Sequence, residues 1–405
     1  MANYHNAHLS FIRFSSRVSP FAGVSPFSRG FATSPRGFVP RRSHKWFRLT
    51  AVGVGTGITV VALQVLRYEY KKREINQEND QVVKRPVLDP WQLHVLNNLP
   101  LRAISRLWGT INNEYNLPVW MRKPCYKFYS WLFNCKLDEI ENPDLKTYPN
   151  LGAFFYRSLK SGSRQIDNNA ILVSPSDGRI ISFGLVNDGW IEPIKGDSYT
   201  LSALLGRDNI NNTNDSNDLE VPIHISPDNP YKWQVNKKEN GLFYCTIYLA
   251  PGDYHHFHSP TNWVVESRRH FVGELFSVSP LMLKLLPDLF VLNERVALLG
   301  RWKHGFFAMI PVGSTNVGSI RINFDQALRT NQKGAAVGTY TEMSYKNTSE
   351  HVDGHGQPLR IGEEMGGFRL GSTMILIFEA PLNFKFCVTP EQITQVGRKL
   401  GEDGD

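Results

Sequence analysis

The first 68 residues contain no aspartate and no glutamate; the first acidic residue is Glu69. The same stretch carries nine Lys and Arg, so the formal charge of +8 belongs to it. The remaining 36 basic and 37 acidic residues leave a nearly neutral body. Such a body lacks the phosphate-neutralising charge on which nucleic-acid binding rests, so no nucleic-acid partner is expected. Cysteine is scarce: Cys125, Cys135, Cys245 and Cys387, with no C-x-x-C pair. That pattern speaks against a zinc site and for buried free thiols. There is no G-x-S-x-G nucleophile elbow, no internal repeat, and no motif for pyridoxal phosphate or nicotinamide.

What is present divides the chain into five segments. Residues 1–46 mix Arg, Ser and Phe without acids, and lack the single compact apolar core of a secretory signal; this predicts a mitochondrial transit peptide, with removal near Arg29 to Ala32. Within 47–67, residues 49–66 form an uncharged run of 18, close to the roughly 20 that span a bilayer core. Arg48 and Arg67 flank it, and a single transmembrane helix is expected. Residues 68–90 read as a charged linker. Residues 91–147 are patterned as helix. Leu101, Ile104, Leu107, Trp108 and Ile111 share one face, with Arg102 and Arg106 off it. "LPVWMRKPCYKFYSWLF" then mixes aromatic with basic residues, which suits either a helix lying on a membrane or a packed helix with solvated charges.

From 148 to 405 the texture changes. "AILVSPSDGRIISFG", "FYCTIYLAPGDYHHFHSP", "HGFFAMIPVGSTNVGSIRI" and "STMILIFEAP" are short apolar or β-branched runs bounded by Gly, Pro, Asp and Asn. The fold class expected is α+β: membrane-associated helices, then a mainly antiparallel β core completed by the C-terminal strand. Residues 206–220 are Asn/Asp-rich and read as a polar surface loop.

Three stretches could carry chemistry. Asp177 sits in "SPSDGRI", where Asp-Gly is also a common turn. "GDYHHFHSP" holds His255, His256 and His258. In a regular strand His256 and His258 share one face and His255 takes the other; at a tight bend His255 and His258 converge. Imidazole titrates near neutral pH and suits general acid–base work. The third is "LGST". Gly371 offers an unshielded carbonyl, and the Ser372 hydroxyl needs a base before it can act as a nucleophile.

"LGST" with "GEEMGGFR" before it and "FEAP" after it resembles the processing site of the phosphatidylserine decarboxylases. "LVSPSDGRI", "DYHHFHSP", "VGELFSVSP", "NERVALLGRW" and "VGSTNVGSI" resemble that family's blocks in its order. "LPLRAISRLWG" resembles the helical part of its mitochondrial inner-membrane branch. The resemblance implies that His258, oriented by Asp177, deprotonates Ser372, whose oxygen attacks the Gly371 carbonyl. The chain is then cut between 371 and 372, and Ser372 becomes a covalent pyruvoyl group. It implies β and α chains that stay together, and a homodimer. It implies a Schiff base between that group and the amine of phosphatidylserine, loss of CO2, and release of phosphatidylethanolamine. His255 would return the proton; no metal is required, and His256 is left without a role, facing solvent. The catalytic domain would face the intermembrane space. Residues 271–276 line an acyl-chain portal or pack in the core; 312–319 cradle a phosphate or form a plain hairpin. Two other readings compete: a membrane-tethered serine hydrolase using Asp177, His258 and Ser372, and a noncatalytic β scaffold.

Overall fold

The computed structural model describes residues 101–187, 189–194, 197–206, 239–314, 320–345, 356–369 and 372–404, all within the unit Asn79–Asp405. The expected transit peptide, transmembrane helix and charged linker lie outside the described residues, as do nearly all of 206–220, positions 315–319 and 370–371. No helix among the described residues is long and apolar enough to cross a membrane.

Three described helices open the fold: α1 (Leu101–Glu114), α2 (Val119–Phe133) and α3 (Leu151–Phe155). In α1 the side turned to protein holds Ser105, Gly109 and Asn112, while Leu107 of the expected apolar face is 62% exposed. Small residues let that side approach closely, and Leu107 is left outward. Helix α2 ends where Asn134 adopts φ 55° and its amide returns to the Ser130 carbonyl. Its inner side seats Tyr126 in a small core with Ile140, Leu145 and Phe154, and the Tyr126 and Phe154 rings stack at 4.7 Å. Its outer side exposes Trp120 (69%), Phe128 (45%) and Trp131 (77%) between Lys123 and Lys127.

Strands dominate the rest. β1 (Leu172–Val173), β2 (Gly178–Leu185), β3 (Trp190–Ile194) and β4 (Asp197–Thr200) lead into a short helix, α4 (Leu201–Leu205). β5 (Asn240–Leu249), β6 (His256–His258) and β7 (Trp263–Phe271) precede α5 (Pro280–Leu285) and α6 (Leu289–Leu292). Then come β8 (Arg295–Trp302), β9 (Gly305–Val312), β10 (Ile320–Ile322), β11 (Tyr340–Ser344), β12 (Gln357–Leu359) and β13 (Glu364–Phe368). β14 (Ser372–Pro381), β15 (Lys385–Phe386), β16 (Ile393–Thr394) and β17 (Lys399–Glu402) close the chain. A nine-stranded sheet runs β11-β7-β8-β9-β14-β5-β2-β16, with β12 also on β7; smaller sheets are β10-β13-β6, β1-β17-β15 and the β3-β4 pair. Every ladder among the described strands is antiparallel.

β14 does not close an edge: it lies inside the large sheet, between β9 and β5, and three short strands follow it. Its one-residue alternation feeds two cores. Met374, Leu376 and Phe378 pack with Phe257, Met365 and Phe368 on the face toward β6 and β13. Ile375 and Ile377 pack with Leu204, Leu205, Leu283 and Phe290 on the face toward α4, α5 and α6. A strand buried on both faces reads as an unbroken apolar run. Met374 through Phe378 are all fully buried. At about 1.5–3 kcal/mol per side chain, these five contribute on the order of 10 kcal/mol to holding β14 in place, whether or not the backbone is continuous before Ser372.

Residues 271–276 are core rather than portal: Phe271 and Phe276 belong to the second core and Leu275 is buried. Of the cysteines only Cys245, on an inner strand, is fully buried; Cys125 and Cys135 are half-buried beside the outward side of α2, and Cys387 is exposed.

Candidate active site

The main sheet's register places Ser372. It opposes Leu249 at the last pair of β14 and β5. The next residue, Thr373, opposes Val312 of β9. Ser372 therefore takes the Leu249 face, toward β6 and β13. It is fully buried, and its Oγ has no hydrogen-bond partner among the described residues. A buried hydroxyl left unpaired costs on the order of 1–3 kcal/mol, so the arrangement is maintained against a penalty.

The turn after β5 carries the histidines. Ala250 N–H donates to Asp253 Oδ2 (2.8 Å), which tightens the turn. Arg157 donates from Nη2 to the Gly252 (2.8 Å) and Asp253 carbonyls. A Cβ on Gly252 would sit 1.9 Å from the Phe133 carbonyl oxygen, so α2 lies directly on this turn and only glycine fits. The Tyr129 hydroxyl adds a bond to the Pro251 carbonyl (3.1 Å). Burial raises the Asp253 carboxyl to about 6, opposed by the Ala250 N–H.

His255 leaves this turn fully buried against Phe155, ring centroids 4.0 Å apart. Its Nδ1 lies 2.9 Å from the Asp253 carbonyl, so Nδ1 carries the proton and donates. Nε2 is then a bare acceptor, buried and without a partner among the described residues. Burial lowers the imidazole to about 3, the Asp253 carbonyl acting weakly in the other direction. His255 is therefore neutral near pH 7, and must take up a proton before it can give one.

β6 is a regular strand, so His256 and His258 share the face opposite Phe257. His256 does not face solvent. It is 4% exposed, with its ring against Tyr156 (4.0 Å) and Tyr254 (4.9 Å). Its Nδ1 is 3.0 Å from Glu364 Oε1, a contact that holds the Glu364 carboxyl down to about 2. Two aromatic walls, one of them the neighbouring Tyr254, and a cross-strand carboxylate draw this ring inward. His258 Nδ1 lies 2.9 Å from the Gly362 carbonyl and Nε2 3.3 Å from the Tyr254 hydroxyl. Burial lowers the His258 imidazole, with the Gly362 carbonyl and the Glu364 and Asp177 charges opposing.

Asp177 is not on His258. Arg164 donates to both of its oxygens, and Val396 N–H donates to Oδ1 (3.0 Å). The planar guanidinium matches a carboxylate fork better than imidazole does, and the Gly362 carbonyl already holds His258 Nδ1. Asp177 reaches His258 through its field alone. Burial disfavours the Arg164 cation, but Asp177 and Glu139 outweigh that and push its pKa up. No hydrogen bond joins His258 to Ser372 among the described residues; in this conformation Tyr254 holds the basic nitrogen. Gly371, the other half of the expected cut, lies outside them. The Nδ1 atoms of the three histidines meet three separate protein groups, and no group of three His, Cys, Asp or Glu among the described residues could hold a metal ion.

Arg157, Arg164 and Tyr254 were not singled out by sequence. Each is a lone polar residue in a loop or strand end, and only the adjacency of Tyr254 to the His cluster offered any signal.

Comparison with known proteins gives the following. A family model described as phosphatidylserine decarboxylase matches residues 151–402. The chain is 42% identical over 397 residues to "Phosphatidylserine decarboxylase proenzyme 1, mitochondrial" of Schizosaccharomyces pombe, covering 85% of this chain and 90% of that one. It is 41% identical over 379 residues to the "Phosphatidylserine decarboxylase proenzyme, mitochondrial" of Pongo abelii (93% and 90%). It is 42% identical over 372 residues to the Saccharomyces cerevisiae proenzyme 1 of the same description (77% and 74%).

Proposed function

Because this chain belongs to the phosphatidylserine decarboxylase family, we propose that it converts phosphatidylserine to phosphatidylethanolamine and CO2, using a pyruvoyl group made from its own Ser372. The observation that carries this reading is the Ser372 hydroxyl, fully buried and unpartnered at the head of an inner strand. The site fits such a group. A keto carbon there is shielded from water, and the unpartnered His255 Nε2 stands just before β6, the strand whose Phe257 packs on the same face. The pyruvoyl ketone supplies an electron sink for the carbon–carbon bond that breaks.

The chain's own residues make the group in balanced steps. Ser372 Oγ gives its proton to His258 Nε2 and bonds to the Gly371 carbonyl carbon; the carbon–nitrogen bond breaks and nitrogen takes the proton. Proximity within a folded chain supplies most of the acceleration such a step needs. Loss of the Ser372 Cα proton and of the ester oxygen frees a Gly371 carboxylate. Water then replaces the nitrogen as ammonia, leaving the keto end. For His258 to act, the Tyr254 hydroxyl must release Nε2. In the decarboxylation, His255 holds and returns a proton at Nε2.

A serine hydrolase is not supported: the family model and the relatives that match this chain are phosphatidylserine decarboxylases. The intact mass of purified protein tests the reading: a C-terminal fragment of 34 residues beginning at 372, carrying a ketone that reacts with hydroxylamine or borohydride. An uncut, fully active chain overturns it.

Membrane docking follows from α1 and α2. Trp120, Phe128 and Trp131, interleaved with Lys123 and Lys127, form an outward aromatic–basic stripe suited to headgroups and the first methylenes. The inner side of α2 sits on the turn before His255, so docking places the site next to its lipid. Trp120→Glu with Trp131→Glu should cut decarboxylation of phosphatidylserine in vesicles at least tenfold and leave self-cleavage intact. With the acid-free N-terminus and the uncharged run at 49–66, we place the enzyme in the mitochondrial inner membrane as a single-pass protein. Its catalytic domain then faces the intermembrane space.

A further inference from the structure

A second buried polar group shares the face of Ser372. Across the sheet end, Thr373 opposes Val312, Val312 opposes Arg295, and Arg295 opposes Phe271. β14 and β8 both run antiparallel to β9, so they run parallel to each other. Ser372 and Glu294 each stand one residue before that row. They flank Gly313, whose N–H donates to the Glu294 carbonyl (2.8 Å) and which has no side chain of its own; the Leu275 Cδ2 methyl lies over it, 3.2 Å from where a Cβ would be. Two inter-strand steps separate the backbones, about 10 Å. The Glu294 side chain lies on the Ser372 face, because its Oε1 meets His270 Nε2 at 2.8 Å. His270 opposes Val296, which packs in the core on that side.

Glu294 is 2% exposed. Oε1 accepts from both His270 and the Asn331 N–H (2.7 Å). Oε2 is buried with no partner among the described residues. Arg295 does not serve it: its guanidinium spends itself on the Leu204 and Ala203 carbonyls and on the Phe271 ring, across the sheet. An unpaired carboxylate oxygen in a dry site is among the costlier polar groups a fold can keep.

A carboxylate oxygen only accepts, so what completes it must donate. In a phosphoserine headgroup the phosphate and the carboxylate are acceptors; the ammonium alone donates. We propose that Glu294 binds the substrate's ammonium group and takes one of its protons on Oε2, leaving the neutral amine, the only form with a lone pair to react. His270 and the Asn331 N–H fix the carboxylate through Oε1. The assignment rests on the reading of Ser372 as the reacting centre.

The uncut Ser372→Ala protein tests this without any decarboxylation. By calorimetry it should bind glycerophosphoserine about 10- to 100-fold more tightly than the N-acetylated compound, which lacks the ammonium. Adding Glu294→Gln should erase that preference; Glu294→Asp, which keeps the carboxylate, should retain part of it. In the Ser372 chain both Glu294 variants should still be cut, which reports the fold. Decarboxylation by the cut Glu294→Gln should fall at least 100-fold. A preference that survives Glu294→Gln, is absent from the Ser372→Ala parent, or is lost equally in the Asp variant overturns the inference. A Ser372 chain that is active while uncut overturns instead the underlying reading, so the two failures are distinct.

Discussion

Ser372→Ala is expected to give a folded, uncut chain with no decarboxylase activity. Deleting Oγ removes the atom that attacks and, equally, the oxygen whose departure opens the route to the ketone. No neighbour substitutes. Thr373 also has a buried, unpartnered hydroxyl, but strand alternation turns it to the opposite face, with Val312 and Arg295. The loss should therefore be complete rather than graded. Stability should not suffer. Alanine fits within the volume of serine and ends the burial of an unpaired hydroxyl, so unfolding should become harder by about 1 kcal/mol. Denaturing gels, a urea midpoint and product release from phosphatidylserine check all three. A Ser372→Ala chain that still yields the fragment would move the cut elsewhere.

The parts of this fold that were legible are those in which one strand's environment dictates its letters. β14 reads as apolar without interruption because both faces are packed. The alternation of His256, Phe257 and His258 across β6 follows from period two alone. In α1 periodicity marks an apolar stripe but not what each position meets: Leu107 faces outward while Ser105, Gly109 and Asn112 meet protein. The site was legible as residue types and opaque as contacts. The family resemblance pairs Asp177 with His258, yet a single Arg164, 13 residues upstream, takes the carboxylate. His256 looked idle because the groups that enclose it, Tyr156 and Glu364, stand about 100 residues away on either side. Glu294 carried no signal beyond being a charge at the head of an apolar run; it meets the Ser372 face only through the register of three strands.

His255→Asn separates the two chemistries, since the asparagine amide can replace Nδ1–H toward the Asp253 carbonyl while nothing replaces Nε2. Self-cleavage should proceed, because His258 carries that proton, and decarboxylation should fall about 10²- to 10⁴-fold, the usual worth of a positioned acid–base group. The same variant has a signature in stability. Burial holds the folded His255 near 3, whereas an unfolded histidine titrates near 6.5. Between those values the unfolded chain binds more protons, so stability rises with pH: the contribution is full above about 6.5 and is lost as pH falls toward 3. It amounts to at most a few kcal/mol. Asp253, raised to about 6, slopes the opposite way, but it is present in both proteins and cancels in the comparison. In the uncut Ser372→Ala background, urea midpoints at pH 7 and pH 5 should therefore differ less for His255→Asn than for its parent. Equal differences would mean that His255 titrates alike in the folded and unfolded chain, and that burial does not hold its Nε2 as a bare acceptor.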